Sequence, residues 1–434
     1  MVLQRDREIP VWGVAAPGEA VTIELAGNKA TAVADPRGKW QTKLPAVALS
    51  TEPLKMTVSG TSAASTKNKI EFDNILVGEV WVCSGQSNMQ WSVAQSNDGG
   101  KEIAEANHPN IRLYHVPTVQ LRNPAETVLN ARWVACSPQT VGGFSAVGYY
   151  FGRDLQKELK VPIGLIANAW GGRRIEPFTP AIGVESVPAL AGKPQGELSI
   201  IYNGMVAPVA PFPIRGAIWY QGESNMGEGM LYADRKRALV AGWRKVWNQG
   251  EFPFYWAQLA PFKYGGQPYA LPELWEAQTA ALDIPHTGMA VLTDIGNPGD
   301  IHPRNKQDVG ARLARWALNR DYGRKDVVPS GPLYKSMKVE GNKIRVHFAY
   351  ADGGLKTRDD KPLTDFEVAG ADGKFVPAKA TIDGQTVVVE AEGIAEPTQV
   401  RFCWNGVASP NFVNSAGLPA GPFRSLDWKG ATGE

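Results

Sequence analysis

Apolar residues are spaced differently in three successive parts of the chain. From residue 9 to about residue 74, short β-branched runs alternate with Gly, Pro and Asn turns, a pattern typical of a small β-sandwich. After residue 74, apolar strands alternate with amphipathic helices, which predicts a parallel sheet covered by helices on both faces. Beyond residue 329 the all-β pattern returns. We therefore predict an α/β fold with three domains: an N-terminal β-sandwich (1–74), an α/β domain (75–328) and a C-terminal β domain (329–434).

The central part carries the clearest element pattern. Its predicted strands are short, apolar and bounded by turn residues: Val77–Cys83, Ile163–Asn168, Ala217–Tyr220, Phe254–Leu259 and Met289–Asp294. Its predicted helices repeat apolar residues at spacings of three and four: Ala146–Leu159, Tyr232–Trp247, Pro272–Leu282 and Asn305–Leu318. Open α/β sheets bind ligands at the carboxyl ends of their strands, so functional residues are expected there.

Charge and composition exclude several classes of partner. The chain has 45 basic and 43 acidic residues and no dense basic run, so nucleic acid is not an expected partner. No apolar stretch is long enough to span a bilayer, and we expect no membrane partner. Three widely spaced cysteines fit neither a disulfide framework nor a zinc motif, although one disulfide remains open. The first residues lack the basic and apolar regions of a secretion signal.

Ser87 is the candidate nucleophile. The predicted strand ending at Cys83 runs directly into Ser84-Gly-Gln-Ser-Asn-Met89, which places a hydroxyl and small residues at the carboxyl edge of the sheet. A serine in such a turn is also typical of a helix cap. The catalytic interpretation therefore requires a base and oxyanion donors at other strand ends.

His302 is the candidate base among the five histidines. His108 and His115 fall in an irregular connection, His286 in a loop and His347 in a terminal strand. His302 lies between the last predicted strand and the last predicted helix of the central part, in Gly299-Asp-Ile-His-Pro303. Asp300 is placed to orient the imidazole and stabilise its protonated form. Both residues could instead cap the following helix.

Two further strand ends supply polar groups. They are Asn168-Ala-Trp-Gly-Gly-Arg-Arg174 and Trp219-Tyr-Gln-Gly-Glu-Ser-Asn225. Backbone N–H groups of Gly171 or Gly172 and the Gln221 amide are candidates to join the Ser87 N–H in an oxyanion hole. Glu223 is an alternative acid for His302, or else it holds its own loop through backbone N–H groups.

Together these segments resemble the sialate O-acetylesterase family of the SGNH hydrolase superfamily. The resemblance rests on Gly85-Gln-Ser-Asn-Met89, Trp170-Gly-Gly172, Trp219-Tyr-Gln-Gly-Glu-Ser-Asn225 and Asp300-Ile-His-Pro303. It extends to the N-terminal part through Met1-Val-Leu-Gln-Arg5, Val11-Trp-Gly and Ala16-Pro-Gly-Glu, and thus covers nearly the whole chain.

The resemblance implies a carbohydrate O-acetylesterase that uses Ser87 and His302, with Gly171 or Gly172 and Gln221 in the oxyanion hole, and that needs no metal or other cofactor. It also implies a periplasmic or extracellular location. Glu223, Asn225 and Arg173 are candidates for contact with an acetylated carbohydrate. Where family members commonly have Thr after the paired glycines, this chain has Arg173 and Arg174, which would bind a sugar carboxylate or simply pair with Glu176.

The expected reaction passes through an acetyl-enzyme on Ser87, with His302 moving the proton and Asp300 orienting it. Two alternatives stay open. The first keeps the enzyme but changes the substrate from sialate to acetyl-xylan or a similar plant-wall polysaccharide. The second is a carbohydrate-binding protein that does not hydrolyse its ligand, which fold alone does not exclude.

Overall fold

The computed structural model describes residues 1–61 and 69–425. Parts of the predicted N-terminal and C-terminal domains, 62–68 and 426–434, lie outside the described residues. The strands up to residue 85 are β1 (Val2–Gln4), β2 (Ile9–Val14), β3 (Ala20–Leu25), β4 (Asn28–Val33), β5 (Lys39–Leu44), β6 (Ser50–Gly60) and β7 (Lys69–Gly85). The central strands are β8 (His108–His115), β9 (Trp133–Cys136), β10 (Ile163–Ala169), β11 (Gly216–Tyr220), β12 (Phe254–Ala257) and β13 (Thr287–Ala290).

The remaining strands follow residue 330, and the α-helices lie between β7 and that point. The strands are β14 (Leu333–Glu340), β15 (Lys343–Ala349), β16 (Leu355–Thr357), β17 (Phe366–Ala369), β18 (Val376–Pro377), β19 (Lys379–Asp383), β20 (Thr386–Glu390), β21 (Gln399–Phe402), β22 (Phe412–Asn414) and β23 (Phe423–Arg424). The helices are α1 (Ser87–Gln90), α2 (Gly99–Glu105), α3 (Ala146–Leu159), α4 (Ala181–Glu185), α5 (Leu231–Trp247), α6 (Ala270–Ala280) and α7 (Lys306–Arg320).

The central strands form one sheet in the order β13-β12-β11-β7-β10-β8-β9. All neighbours in this order are parallel except β8 and β9, which are antiparallel. Two strands from the N-terminal part also join β7, β1 in parallel and β6 antiparallel, so the sheet as a whole is mixed rather than purely parallel. The predicted α/β core is thus present, with further strand-rich regions on either side of it in sequence.

Successive side chains along these strands point to opposite faces of the sheet. Because both sets are apolar, helices cover both faces. On one face, Trp81 of β7 packs edge-on against Phe151 of α3, and Tyr255 of β12 stacks near Trp316 of α7. On the other face, Trp219 of β11 packs edge-on against a tryptophan of α5. These fully buried strands explain the continuous apolar runs that mark them in the sequence.

Strand β7 belongs both to the N-terminal strand-rich region and to the central sheet. Its first half pairs with β6, and its second half pairs with β10 and β11. A separate apolar cluster, which includes Ile9, Ile23 and Trp40, fills the strand-rich region formed by β1 to β7. The predicted boundary after residue 74 falls inside this single strand, and the division into three domains stays a prediction.

A buried carboxylate ties the chain's first residues to the base of the sheet. Glu79 of β7 is fully buried. It accepts a hydrogen bond from Gln4 at 3.0 Å and forms ion pairs with Arg5 and, at 3.3 Å, with Arg215. Buried charges are normally paired in this way. The network joins residues from both strand-rich and central parts.

Most predicted elements agree with the structure, and three expectations need correction. Helix α3 has the predicted bounds, and α7 begins one residue later than predicted. His108 and His115 were expected in an irregular connection but are the first and last residues of β8. The last central strand ends at Ala290, four residues earlier than expected. The three cysteines are free thiols, so the disulfide left open by the sequence is not formed.

Within the described ranges, no helix combines the length and the apolar character that crossing a bilayer would require.

Candidate active site

The nucleophile candidate follows a sharp bend at the end of β7. Gly85 aligns with Ala169 of β10 on one side and with Tyr220 of β11 on the other. Its φ of +139° lies in a region that L side chains rarely adopt, and a Cβ there would lie 2.2 Å from the Tyr220 carbonyl oxygen. Glycine is therefore required for the chain to turn here, and the turn brings Ser87 to the carboxyl edge of the sheet.

Ser87 is the first residue of α1 and is partly exposed. The cap position of this helix is Gln86, and it makes no side-chain capping bond, so the helix-cap interpretation of Ser87 is wrong. In the part of the chain that the structure describes, neither the Ser87 hydroxyl nor its backbone N–H has a hydrogen-bond partner. Both groups are thus free to act on a ligand.

The turn after β10 approaches Ser87 closely. A Cβ on Gly171 would lie 3.3 Å from the Ser87 Cβ, so a larger residue would crowd the serine. The Gly171 N–H donates to the Gln90 side-chain oxygen at 2.8 Å and is therefore occupied. Gly172, at φ +70°, has a backbone N–H with no partner among the described residues. Of the two glycines, Gly172 is the better oxyanion donor.

His302 lies in the loop before α7 and faces the segment that carries Ser87. Its imidazole stacks on Trp91 with ring centroids 4.6 Å apart and an interplanar angle of 16°. Asn305, not Asp300 or His302, caps α7 by accepting from the Asp308 N–H at 3.1 Å, so the helix-cap interpretation of those two residues is wrong. Over the described residues, no hydrogen bond joins the imidazole to the Ser87 hydroxyl; catalytic hydrogen bonds are often long without substrate.

The two candidate acids make different contacts. Asp300 accepts from the backbone N–H of His302 at 2.9 Å, and its charge raises the pKa of His302. Burial and the positive charge of Lys306 outweigh that effect, and the pKa of His302 lies below its usual value of 6.5. Glu223 accepts from the Asn88 amide at 2.6 Å, and burial raises its pKa. The choice of Asp300 as the orienting acid stays a prediction.

Gln221 and Asn225 are fully buried and bonded to each other at 2.7 Å. The Gln221 amide also donates to the Arg173 carbonyl at 3.2 Å, so both of its hydrogens are used. Asn225 donates to Glu176 and Glu228 and accepts from the Ile175 N–H. An oxyanion role for Gln221 or a substrate contact for Asn225 would require these bonds to break. Both roles stay predictions. The observed bonds indicate instead that Gln221 and Asn225 hold the surrounding loops in place.

The two arginines after the paired glycines differ in their partners. Arg174 forms ion pairs with Glu176 at 2.8 Å and with Glu228. The pair with Glu176 is the one that the sequence analysis considered. The Arg173 guanidinium lies 4.4 Å from the Trp170 ring centroid and 3.8 Å from Glu197. It borders a cavity of about 240 Å³ that Gly172 also lines. Arg174 lines the same cavity but is paired with two carboxylates, and a ligand contact for Arg173 stays a prediction.

Two residues of the site were missed by the sequence analysis as functional candidates. Asn88 follows the nucleophile and is buried, and the Lys306 ammonium donates to its side-chain oxygen. The available signal was at Lys306, because a lysine in the first turn of a helix opposes the helix dipole. Trp91 and Trp170 flank the site, whereas Trp219 belongs to the core.

Comparison with known proteins adds independent information. Residues 77–319 match a protein-family model described as carbohydrate esterase, sialic acid-specific acetylesterase. The chain is 30% identical to human sialate O-acetylesterase, an alignment that covers 98% of this chain and 90% of the human protein. The mouse sialate O-acetylesterase is 28% identical, with coverages of 98% and 92%. A carbohydrate acetylesterase from Xanthomonas citri has a similar crystal structure, with a TM-score of 0.92, 37% identity and coverages of 98% and 97%.

Proposed function

Because the chain belongs to the carbohydrate esterase family of sialic acid-specific acetylesterases, we propose that it removes acetyl groups from a carbohydrate with Ser87 as nucleophile. The observation that carries the proposal is the Ser87 hydroxyl, which has no partner among the described residues, on a turn that the Gly171-Gly172 segment approaches closely; the backbone N–H groups of Ser87 and Gly172 likewise have no partner there. A hydroxyl next to such donors can attack an ester carbonyl carbon, because the N–H groups stabilise the negative charge that develops on the carbonyl oxygen.

The proposed reaction has two stages. His302, kept neutral by its lowered pKa, takes the Ser87 proton as Ser87 attacks the acetyl carbon, and then gives that proton to the departing sugar oxygen. The acetyl group is then held on Ser87. Water attacks this ester with His302 again as base, and acetate leaves. Asp300 stabilises the imidazolium formed at each stage.

The test is acetate release by the wild type, Ser87→Ala and His302→Ala. The substrates are p-nitrophenyl acetate, O-acetylated sialic acid and acetylated xylan. We expect each substitution to reduce kcat by roughly 10⁴- to 10⁶-fold on whichever ester the wild type hydrolyses. Circular dichroism of the variants shows that they are folded. A wild type inert on all three esters, or variants as active as the wild type, would refute the proposal and favour a protein that binds glycans without hydrolysing them.

Arg173 offers a direct test of which sugar the protein acts on. We expect Arg173→Thr to raise KM for O-acetylated sialic acid about tenfold or more, because a carboxylate would lose a charge-assisted hydrogen bond. KM for acetylated xylan should change less than about twofold, because the sugar backbone of xylan carries no charge for Arg173 to bind. Equal effects on both substrates would show that Arg173 does not read the sugar's charge.

A further inference from the structure

A buried lysine lies among the loops of the proposed active site. Lys306 is the first residue of α7, and its side chain is fully buried. Its Nζ lies 5.9 Å from the Trp91 ring centroid and 5.4 Å from that of Tyr220. A positive charge at a helix start opposes the helix dipole, and moving an ammonium out of water into the protein interior is unfavourable unless other groups compensate. Stability of α7 therefore does not account for a lysine here.

The Lys306 ammonium bonds to Asn88, the residue after Ser87. An ammonium can only donate, so the Asn88 side-chain oxygen must face Lys306. The Asn88 amide nitrogen is then directed at two acceptors, the Glu223 carboxylate at 2.6 Å and the Ile301 carbonyl at 3.0 Å. Ile301 immediately precedes His302. One amide thus connects the Ser87 turn, the loop after β11 and the loop of the proposed base.

We propose that Lys306 is a positioning residue for the proposed esterase reaction. By fixing the orientation of the Asn88 amide, it holds the Ser87 turn and the His302 loop in one arrangement, and its positive charge disfavours protonation of His302 before substrate arrives. This inference rests on the proposed function, since it assigns Lys306 a role in that same reaction.

The charges around His302 give the direction of the expected change. Lys306 faces it from α7 and lowers its pKa, whereas Asp300 of its own loop raises it. Glu223 faces Lys306 from the loop after β11, and Trp91 covers one face of the imidazole. Burial lowers the pKa of Lys306 to about 7, with Glu223 and Asp300 opposing the shift. Loss of the lysine charge should raise the pKa of His302 and move the acid limb of kcat/KM to higher pH.

Two substitutions separate orientation from charge. Lys306→Met removes both the donor and the charge, and we expect kcat on p-nitrophenyl acetate to fall roughly 10²-fold with little change in KM. Lys306→Gln keeps an amide donor without charge, and we expect most of kcat to return while the acid limb stays at higher pH. Lys236→Met is the matched control, because Lys236 is also fully buried but does not contribute to the pKa of His302. It should leave the acid limb unchanged.

An NMR titration of His302 in the same proteins supplies a readout that does not depend on activity, and the five histidines make assignment feasible. The proposal is overturned if the folded Lys306→Met protein keeps its kcat, or if the pKa of His302 does not rise in Lys306→Met and Lys306→Gln. Those outcomes leave wild-type ester hydrolysis intact. An inert wild type refutes the esterase function and, with it, a positioning role in that reaction, even where the pKa of His302 still rises.

Discussion

The His302 imidazole lies between the charges of Asp300 and Lys306, with Trp91 against one face. Its lowered pKa keeps it neutral, and able to accept a proton, at more acid pH than an ordinary histidine. We therefore expect kcat/KM of the wild type to rise with pH through an apparent pKa below 6.5. Initial rates on p-nitrophenyl acetate from pH 4 to 8 check this. An acid limb above 6.5 would contradict it.

The same limb distinguishes the two candidate acids. Asp300 raises the pKa of His302, so Asp300→Asn should lower that pKa and move the acid limb to lower pH while kcat falls. Glu223 acts on His302 only through Lys306, whose pKa it raises, so Glu223→Gln should leave the limb in place or move it to higher pH. A limb that moves to lower pH only in Glu223→Gln would identify Glu223 as the orienting acid instead.

Single residues were predictable where local sequence places them at a strand end. Ser87 and His302 follow predicted strands, and the structure brings their loops together through the Trp91 stack. The partners of Asn88 were not predictable, because Lys306 is 218 residues away in sequence and meets it only after the sheet has formed. The occupied hydrogens of Gln221 were hidden for the same reason.

At the scale of elements, the bend between β7 and α1 requires glycine at position 85, and the free energy of unfolding measures this requirement. Gly85→Ala places a Cβ against the Tyr220 carbonyl at a backbone conformation unfavourable for alanine. We expect the free energy of unfolding to fall by roughly 2–4 kcal/mol, with loss of activity. Gly100→Ala in α2 is the control, since a Cβ there meets open space, and it should stabilise the protein by about 0.5–1 kcal/mol. Urea unfolding curves measure both, and equal stabilities would contradict the expectation.

Elements were predictable where apolar periodicity is strong and unbroken. Helices α3 and α7 were predicted within two residues at each end. Strand β8 was missed because Pro109, Asn110 and Arg112 interrupt its apolar run, although Ile111 and Leu113 are buried in pairing with β10. Tertiary pairing there outweighs a weak local preference.

For the whole molecule, the shared strand β7 predicts coupled unfolding of the first 85 residues and the proposed active site. Ile23 is fully buried in the apolar cluster of the strand-rich region, so Ile23→Ala should lower the free energy of unfolding by about 2–5 kcal/mol. We expect the midpoint of thermal inactivation to fall together with the midpoint measured by near-UV circular dichroism. Thr22→Ala, on the opposite face of the same strand, should change both little. A variant whose activity outlasts the melting of its N-terminal part would contradict this coupling.

The two changes in periodicity, near residues 74 and 329, predicted the succession of strand-rich, α/β and strand-rich regions, but not how these regions contact one another. The apolar pattern of β7 indicates which of its residues are buried. It does not indicate that the first half pairs with a strand earlier in the sequence and the second half with strands later in the sequence. Nor does the sequence reveal that Glu79 binds both Arg5 and Arg215. Such joints depend on contacts between distant segments.

The position of β7 also has consequences while the protein is being synthesised. Its first half can pair at once, because β6 has already left the ribosome. Its second half, an unbroken run of buried residues from Glu79 to Gly85, must wait for Ile163–Ala169 and Gly216–Tyr220 to be translated. During that interval both edges of an apolar segment lack their final partners, which exposes the nascent chain to wrong pairing. The strand that leads into the proposed nucleophile is thus also a segment that needs protection before translation ends.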